Sequence, residues 1–286
     1  MKIYTHAGRF HADEVLATAM LIEWGAFNLP NEQVEIFRLN DIKDIPTDGF
    51  ILDIGREYSP EKKRFDHHQE FLTREDGYPY ATAGLIWKHF GNDIHFAGMG
   101  EGVHEMVDER FIKGVDAHDS DAKYHHTGNC SAGEVQVITF SQIIASMNFL
   151  GDVNSEEQNV QFNLAVEFAQ NILREKIYRS KEICEAKGKV AQSQIKVAGN
   201  SSYYQFDEGF PWHEAVCSTK ASYVILPSQH PGNPISLLAV PVEPGSRVLK
   251  KPIERPDWFD GFIHNGRFIA GCATVDQAIK LIESQQ

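Results

Sequence analysis

Two short runs of β-forming residues, 2–5 and 50–52, each stop on a residue able to bind a cation, His6 in the first case and Asp53 in the second. Between them Val15, Leu16, Ala19, Met20 and Ile22 recur at helical spacing, which predicts a helix over residues 12–24. Residues 34–38 predict a further strand, and the turn Ala7-Gly8-Arg9 closes the first one. Asp13 and Glu14 fall in the first turn of the helix, where negative charge suits its dipole. Strand, helix, strand, strand in that order predicts an α/β domain with a mainly parallel sheet. Ligands of such sheets gather at the carboxyl ends of the strands, where His6 and Asp53 stand.

Further along, Arg64-Phe65-Asp66-His67-His68 follows a short β-like run, and residues 81–90 predict a helix. The middle reads as helical over 103–121 and 131–149, and a long polar-apolar run from 155 to about 196 predicts a helix joining two bodies. After Gly199-Asn200 the composition shifts to Pro, Gly and β-formers, with strands expected at 203–206, 221–226, 234–240 and 261–269 and a last helix at 275–282. The expected organisation is therefore a catalytic domain over 1–198 and a smaller α+β domain over 199–286.

Composition narrows the function classes. Hydrophobic residues at 42% and charged residues at 23% describe a globular chain rather than a disordered or fibrous one. A net charge of −13 leaves no broad basic stripe for duplex nucleic acid, so a phosphorylated substrate needs local cations, from metal or a few Arg. The four cysteines, Cys130, Cys184, Cys217 and Cys272, form no CxxC pair, which argues against a thiolate zinc site or a disulfide framework and fits a reducing compartment. No stretch is apolar enough to span a bilayer and the start lacks a signal peptide's apolar core, so a cytoplasmic location and no membrane partner are expected.

Four clusters carry the chemistry: His6-x4-His11-x-Asp13, Asp53-Ile54-Gly55, Asp66-His67-His68 and Asp116-Ala117-His118-Asp119. Singly each has a plain reading. A lone His is more often a hydrogen-bonded side chain than a ligand, Asp before Gly is turn chemistry, and Asp116 with Asp119 suits a solvated helix face. His125-His126 reads as a surface pair of that kind. Together the clusters are harder to dismiss, because imidazoles and carboxylates crowded at one sheet edge repel or desolvate one another unless a cation lies between them. The donors are His and carboxylate with no Cys, which points to octahedral N/O coordination of Mn²⁺, with Mg²⁺, Co²⁺ or Fe²⁺ as substitutes. More than four donors exceed the closed tetrahedron of structural zinc. Two cations roughly 3.5–4 Å apart would generate hydroxide near neutral pH and clamp a phosphoryl group. Asp53, flanked by apolar residues, is the expected bridge.

The phrase Thr5-His6-Ala7-Gly8-Arg9-Phe10-His11-Ala12-Asp13-Glu14, with Arg64-Phe65-Asp66-His67-His68-Gln69 and Val115-Asp116-Ala117-His118-Asp119, resembles the MYG1 family (UPF0160), a branch of the DHH phosphoesterase superfamily. Ala83-Gly84-Leu85-Ile86-Trp87 and Phe210-Pro211-Trp212 extend the likeness over most of the chain. The resemblance implies two Mn²⁺-like ions between an amino-terminal DHH-type parallel-sheet domain and a smaller substrate domain. It implies that His6, His11 and Asp53 hold one metal, and that Asp13, Asp53 and His67 hold the other with Asp116 or Asp119. The superfamily's first motif usually carries Asp where His11 stands. His68 would meet the scissile phosphate or protonate the leaving group, Asp66 would orient an imidazole, and Arg9 and Arg64 would contact phosphate. Many relatives grip nucleotide with Gly-Gly-His; here residues 270–274 read Ala-Gly-Cys-Ala-Thr, leaving His264 and Arg267 as substitutes.

The expected function is hydrolysis of phosphodiesters in short single-stranded RNA or oligonucleotides, with the 3′–5′ exonuclease direction implied by the resemblance. A small-molecule phosphatase or pyrophosphatase is the alternative within the same chemistry. A non-catalytic metal- or nucleotide-binding module is the alternative outside it. A metal-dependent peptidase ranks last, since no HExxH is present.

Overall fold

A computed structural model of the chain describes residues 1–69, 72–94, 100–120, 138–230 and 232–285. It divides into two compact units, Met1–Lys181 and Glu182–Gln286. His125, His126 and Cys130, and residues 121 and 131–137 of two expected helices, lie outside the described residues.

In the first unit β1 (Lys2–His6), α1 (Ala12–Asn28), β2 (Glu35–Leu39), β3 (Phe50–Leu52), β4 (Tyr58–Ser59) and β5 (Arg64–Phe65) follow one another. The five strands lie in the order β2-β1-β3-β5-β4, parallel throughout except for the antiparallel edge strand β4. Phe50, Ile51 and Leu52 are all buried, as expected of a parallel strand covered on both faces. Burial of α1 from Ala12 through Leu21 makes it an interior helix, apolar nearly all round and extended past Trp24 to Asn28.

Against α1 packs α2 (Thr82–Phe90). The helix expected over 103–121 is realised as α3 (Val103–Val107), a π-helical turn (Asp108–Ile112) and α4 (Lys113–Asp119). α5 (Phe140–Ser146) ends sooner than expected, and α6 (Glu156–Gln192) is the long helix. Arg174 grips Glu23 with two nitrogens, at 3.1 and 2.7 Å, and Gln170 adds a third bond at 2.7 Å, tying α6 to α1.

The second unit contains β6 (Lys196–Ala198), β7 (Ser201–Gln205), α7 (His213–Cys217), β8 (Tyr223–Pro227), β9 (Ile235–Ala239), β10 (Phe262–Ile263), β11 (Ile269–Cys272) and α8 (Val275–Glu283). Its sheet runs β10-β11-β9-β8-β7-β6, antiparallel except for β7 beside β8. Tyr223, Ile225, Leu237, Ala270 and Cys272 pack with Ala278, Leu281 and Ile282 of α8, while Tyr204, Val224 and Val240 pack with Trp212 and Val216.

Two expectations change here. The long helix stops at Gln192, and Lys196–Ala198 forms a hairpin with β7 instead, because Gly199 takes a φ of +56° that closes a tight turn. The single strand expected over 261–269 is two strands, since Arg267 N–H donates to His264 O at 2.8 Å around Asn265-Gly266, a turn pair. Cys217 and Cys272 are buried thiols, and Cys184 is half-buried. Among the described residues no helix is long and apolar enough to cross a membrane.

Candidate metal centre

Three strands of the first sheet, β1, β3 and β5, each lead to a donor at or just past the end of the strand. His6 is the last residue of β1, and its Nδ1 lies 2.8 Å from Ala7 O. A carbonyl can only accept, so Nδ1 carries the proton and Nε2 is the atom left to bind. That Nε2 stands 3.1 Å from Glu14 Oε1 and 3.4 Å from Asp53 Oδ2. Asp53 follows β3 directly; its N–H still donates to Phe65 O at 3.0 Å, yet its φ of +57° turns the chain out of the ladder. Left-handed backbone suits Asp better than most residues. His67, two residues past β5, places Nε2 at 3.4 Å from Asp53 Oδ1, 3.1 Å from Asp119 Oδ2 and 3.9 Å from Asp13 Oδ2.

The loop from His6 to His11 is held from behind. Asn148 bonds both the N–H and the carbonyl of Phe10 at 2.9 Å, and the fully buried Gln158 of α6 donates to Gly8 O at 3.0 Å and to Asn148 at 2.6 Å. Arg38 donates to the same Gly8 carbonyl at 2.8 Å. His11 then starts α1, its N–H donating to Glu14 Oε1 at 2.8 Å.

Donor atoms gather in three groups, each within 4.8 Å: His6, His11, Glu14 and Asp53; Asp53, His67 and His68; His11, Asp13 and Asp119. Asp53 belongs to two of them. A test of fit to a cation comes from the unpaired atoms. Asp13 is completely buried, and neither of its oxygens has a hydrogen-bond partner among the described residues; Glu14 Oε2 is in the same state. A buried carboxylate left this way costs several kcal/mol, about the penalty that pairing with a cation removes. Oxygen and imidazole donors without sulfur fit a hard or borderline divalent ion.

The electrostatics agree. Burial and the charges of Asp53 and Asp119 push the Asp13 carboxyl well above its ordinary range. Burial opposes the charged form of His6, but hydrogen bonds to Asp53 and Glu14 outweigh it and lift the imidazole to about 11. His67 rises to about 10, its bonds to Asp119 and Asp53 likewise overcoming burial. Asp53 is held below the usual carboxylate range by His6 and His67 despite its burial. Protons on the two imidazoles supply positive charge among these carboxylates.

His68 is set apart. Its Nδ1 lies 2.7 Å from Asp66 Oδ1 while the ring is half-exposed. Asp66 is itself fixed by the N–H groups of Arg56 at 2.7 Å and His68 at 2.9 Å. The bond to Asp66 raises the His68 pKa.

Asp116 does not join the donor groups: Oδ2 accepts from Arg74 at 2.7 Å and Oδ1 from Gly84 N–H at 2.9 Å. Burial pushes its carboxyl up to about 7 against the pull of Arg74. The Arg64 guanidinium donates to the carbonyls of Pro46, Thr47, Lys62 and Gly49 at 2.8 to 3.2 Å. Arg9 is exposed on the turn between His6 and His11. Arg267 pairs with Glu254 in the second unit. Beside the centre a cavity of about 240 Å³ is lined by His11, Asp13, His118, Asp119 and Ser141.

Sequence reasoning missed Glu14 as a donor, placing it only as an acid that suits the helix dipole. The available signal was its position three residues after His11, where a side chain reaches back to the helix start. It also missed Thr82, whose hydroxyl donates to Asp53 Oδ1 at 3.2 Å. No local pattern marks that contact.

Residues 2–285 match the family MYG1_exonuc, described as uncharacterised protein family UPF0160. The MYG1 protein of Schizosaccharomyces pombe is 28% identical, covering 98% of this chain and 96% of its own length. The MYG1 exonuclease of Mus musculus is 24% identical over 98% of this chain and 83% of its own. The MYG1 protein of Chlamydia muridarum is 30% identical over 73% and 64% respectively.

Proposed function

The chain belongs to the MYG1_exonuc family, and from that premise we propose that it is a metal-dependent phosphoesterase, a 3′–5′ exonuclease on short single-stranded RNA or oligonucleotides. The relatives named as exonucleases support the reaction class. The observation that carries the reading is Asp13, fully buried with two unpartnered oxygens among His11, His67 and Asp119.

In this reading His6, His11 and Asp53 hold one divalent cation, with Glu14 beside His6, and Asp13, Asp53, His67 and Asp119 hold the other. Mn²⁺ suits the donor set best, with Mg²⁺, Co²⁺ or Fe²⁺ as substitutes. When bound, such a pair supplies Lewis acidity toward a phosphoryl oxygen and acidifies a water. Asp66 fixes His68 through Nδ1, so the other ring nitrogen presents a proton to the leaving oxygen. The bond to Asp66 raises the His68 pKa and so favours the protonated ring. Arg9, exposed between two donors, meets the substrate phosphate, whereas Arg64 is occupied by loop carbonyls. Residues 199–286 serve as the substrate-binding part. The net charge of −13 favours short substrates over long ones laid in a basic groove.

The test is elemental analysis of purified protein together with dinucleotide, single-stranded RNA and pyrophosphate offered side by side in Mn²⁺. Cleavage of the first two is expected. Turnover of pyrophosphate alone would replace the exonuclease by a small-molecule phosphatase. Intact substrates with metal-loaded protein would leave a binding module.

A further inference from the structure

We propose that Arg74 is a positioning residue for the metal centre, setting α4 so that Asp119 reaches His67; the inference rests on the reading of Asp119 as a ligand given above. Arg74 is buried in a tight hairpin in which Thr73 bridges Pro79 and Arg74 N–H donates to Tyr78 O at 2.8 Å. Its guanidinium binds Asp108 with two nitrogens, Nε at 3.0 Å and Nη2 at 2.8 Å. The same Nη2 reaches Asp116 at 2.7 Å, Nη1 donates to Pro79 O at 2.9 Å, and the plane lies 4.2 Å from the Tyr80 ring centre. A planar fork with this many fixed partners has one orientation.

Asp108 and Asp116 are eight positions apart. Two α-helical turns take about 7.2 residues, so in an unbroken α-helix these carboxylates would point about 80° apart around the axis. The π-helical turn Asp108–Ile112 supplies the wider turn that brings both onto Arg74. Asp119 lies three residues beyond Asp116 on the same helix, so the anchor fixes the direction in which Asp119 leaves it.

Asp116 also docks α4 onto α2. Its Oδ1 accepts from Gly84 N–H, one of the amides at the start of α2 that no helical carbonyl can satisfy. A Cβ at position 84 would sit 1.9 Å from Asp116 Oδ2, so the approach requires glycine there. The same helical turn supplies Thr82 to Asp53. Arg74, Asp116 and the first turn of α2 thus connect Asp119 with Asp53 through bonded contacts, although Arg74 itself belongs to none of the three donor groups.

The experiment titrates Mn²⁺ into full-length wild type, Asp119→Ala, Arg74→Met and Arg74→Lys by calorimetry, with paramagnetic resonance of the bound Mn²⁺ and melting of the metal-free proteins alongside. Asp119→Ala should lose one of two sites. Arg74→Met should weaken that same site by about 10–100-fold and leave the other unchanged. Arg74→Lys, which keeps the charge and loses the fork, should fall between, and it decides the matter should Arg74→Met fail to fold. Lower melting of an Arg74 variant with both Mn²⁺ affinities at wild-type values would make Arg74 a brace only and overturn the proposal. Wild type that binds no Mn²⁺ would instead overturn the metal-centre reading beneath it, before any variant is compared.

Discussion

Asp13 and Asp116 are both completely buried aspartates on helices of the first unit, and they are held in opposite ways. Every oxygen of Asp116 is answered within the chain, by Arg74 and by Gly84. Neither oxygen of Asp13 has a hydrogen-bond partner among the described residues, and His67 Nε2 stands 3.9 Å from Oδ2. Burial alone therefore says little about an acid's role. What separates anchor from ligand is whether the protein carries the compensating charge or leaves it to come from outside.

The sharpest break between the two regions is expected at Asp53. Asp53→Ala should remove bound metal and cut hydrolysis by about 10³-fold or more, while the metal-free protein still folds. Unchanged metal content by elemental analysis would end its bridging role. Next comes His68→Ala, expected to lose about 10²–10⁴-fold in kcat with both metals retained; a loss of metal would move His68 into the coordination shell. Asp116→Ala should destabilise the fold by about 3–5 kcal/mol in urea melts, since it strands Arg74 and Gly84 N–H without the acceptor they share. Asp13→Asn should do the reverse, raising metal-free stability by about 1–3 kcal/mol while abolishing metal binding. A fall in stability for that variant would erase the contrast from which this reading starts.

The smallest effect is a proton count. His6 and His67 have folded values of about 11 and about 10, above the ordinary 6.5, so both hold protons at pH 7.5 without metal. Binding needs neutral imidazoles, so Mn²⁺ should release about two protons, read from how the calorimetric enthalpy varies with buffer. The sign also sets a stability trend. These raised values stabilise the metal-free fold fully below 6.5, and that contribution is lost as pH climbs through 10 to 11. Melting of metal-free protein from pH 6 to 11 would check it.

Much of the first unit could be read ahead of the structure because apolar runs with helical or strand period terminate on chemical residues, as at His6 and Asp53. The two-residue strands β4 and β5 carry too little pattern to be seen beyond a β-like run before His67. Asp116 and Asp119 could not be told apart, because their surroundings depend on Arg74 and on a π-turn, and neither leaves a periodic trace. Glu14 was hidden by a rule that is usually right, since acids in a first helical turn are mostly solvated. In the second unit, polar helical spacing through Gln192 ran on into β6 without a break, and only the turn at Gly199 reveals the hairpin.

The left-handed backbone at Asp53 gives that position a narrow alphabet. β-Branched and bulky side chains fit that conformation poorly, and Gly, Asn and Asp fit it best. Drift there can trade an anion for an amide or for nothing, and it has no cheap route to a longer acid such as Glu. On the reading of Asp53 as a bridging ligand, descendants of this fold that lose the metal centre should therefore carry Asn or Gly at 53, and such a residue would mark a copy that keeps its shape without the proposed chemistry.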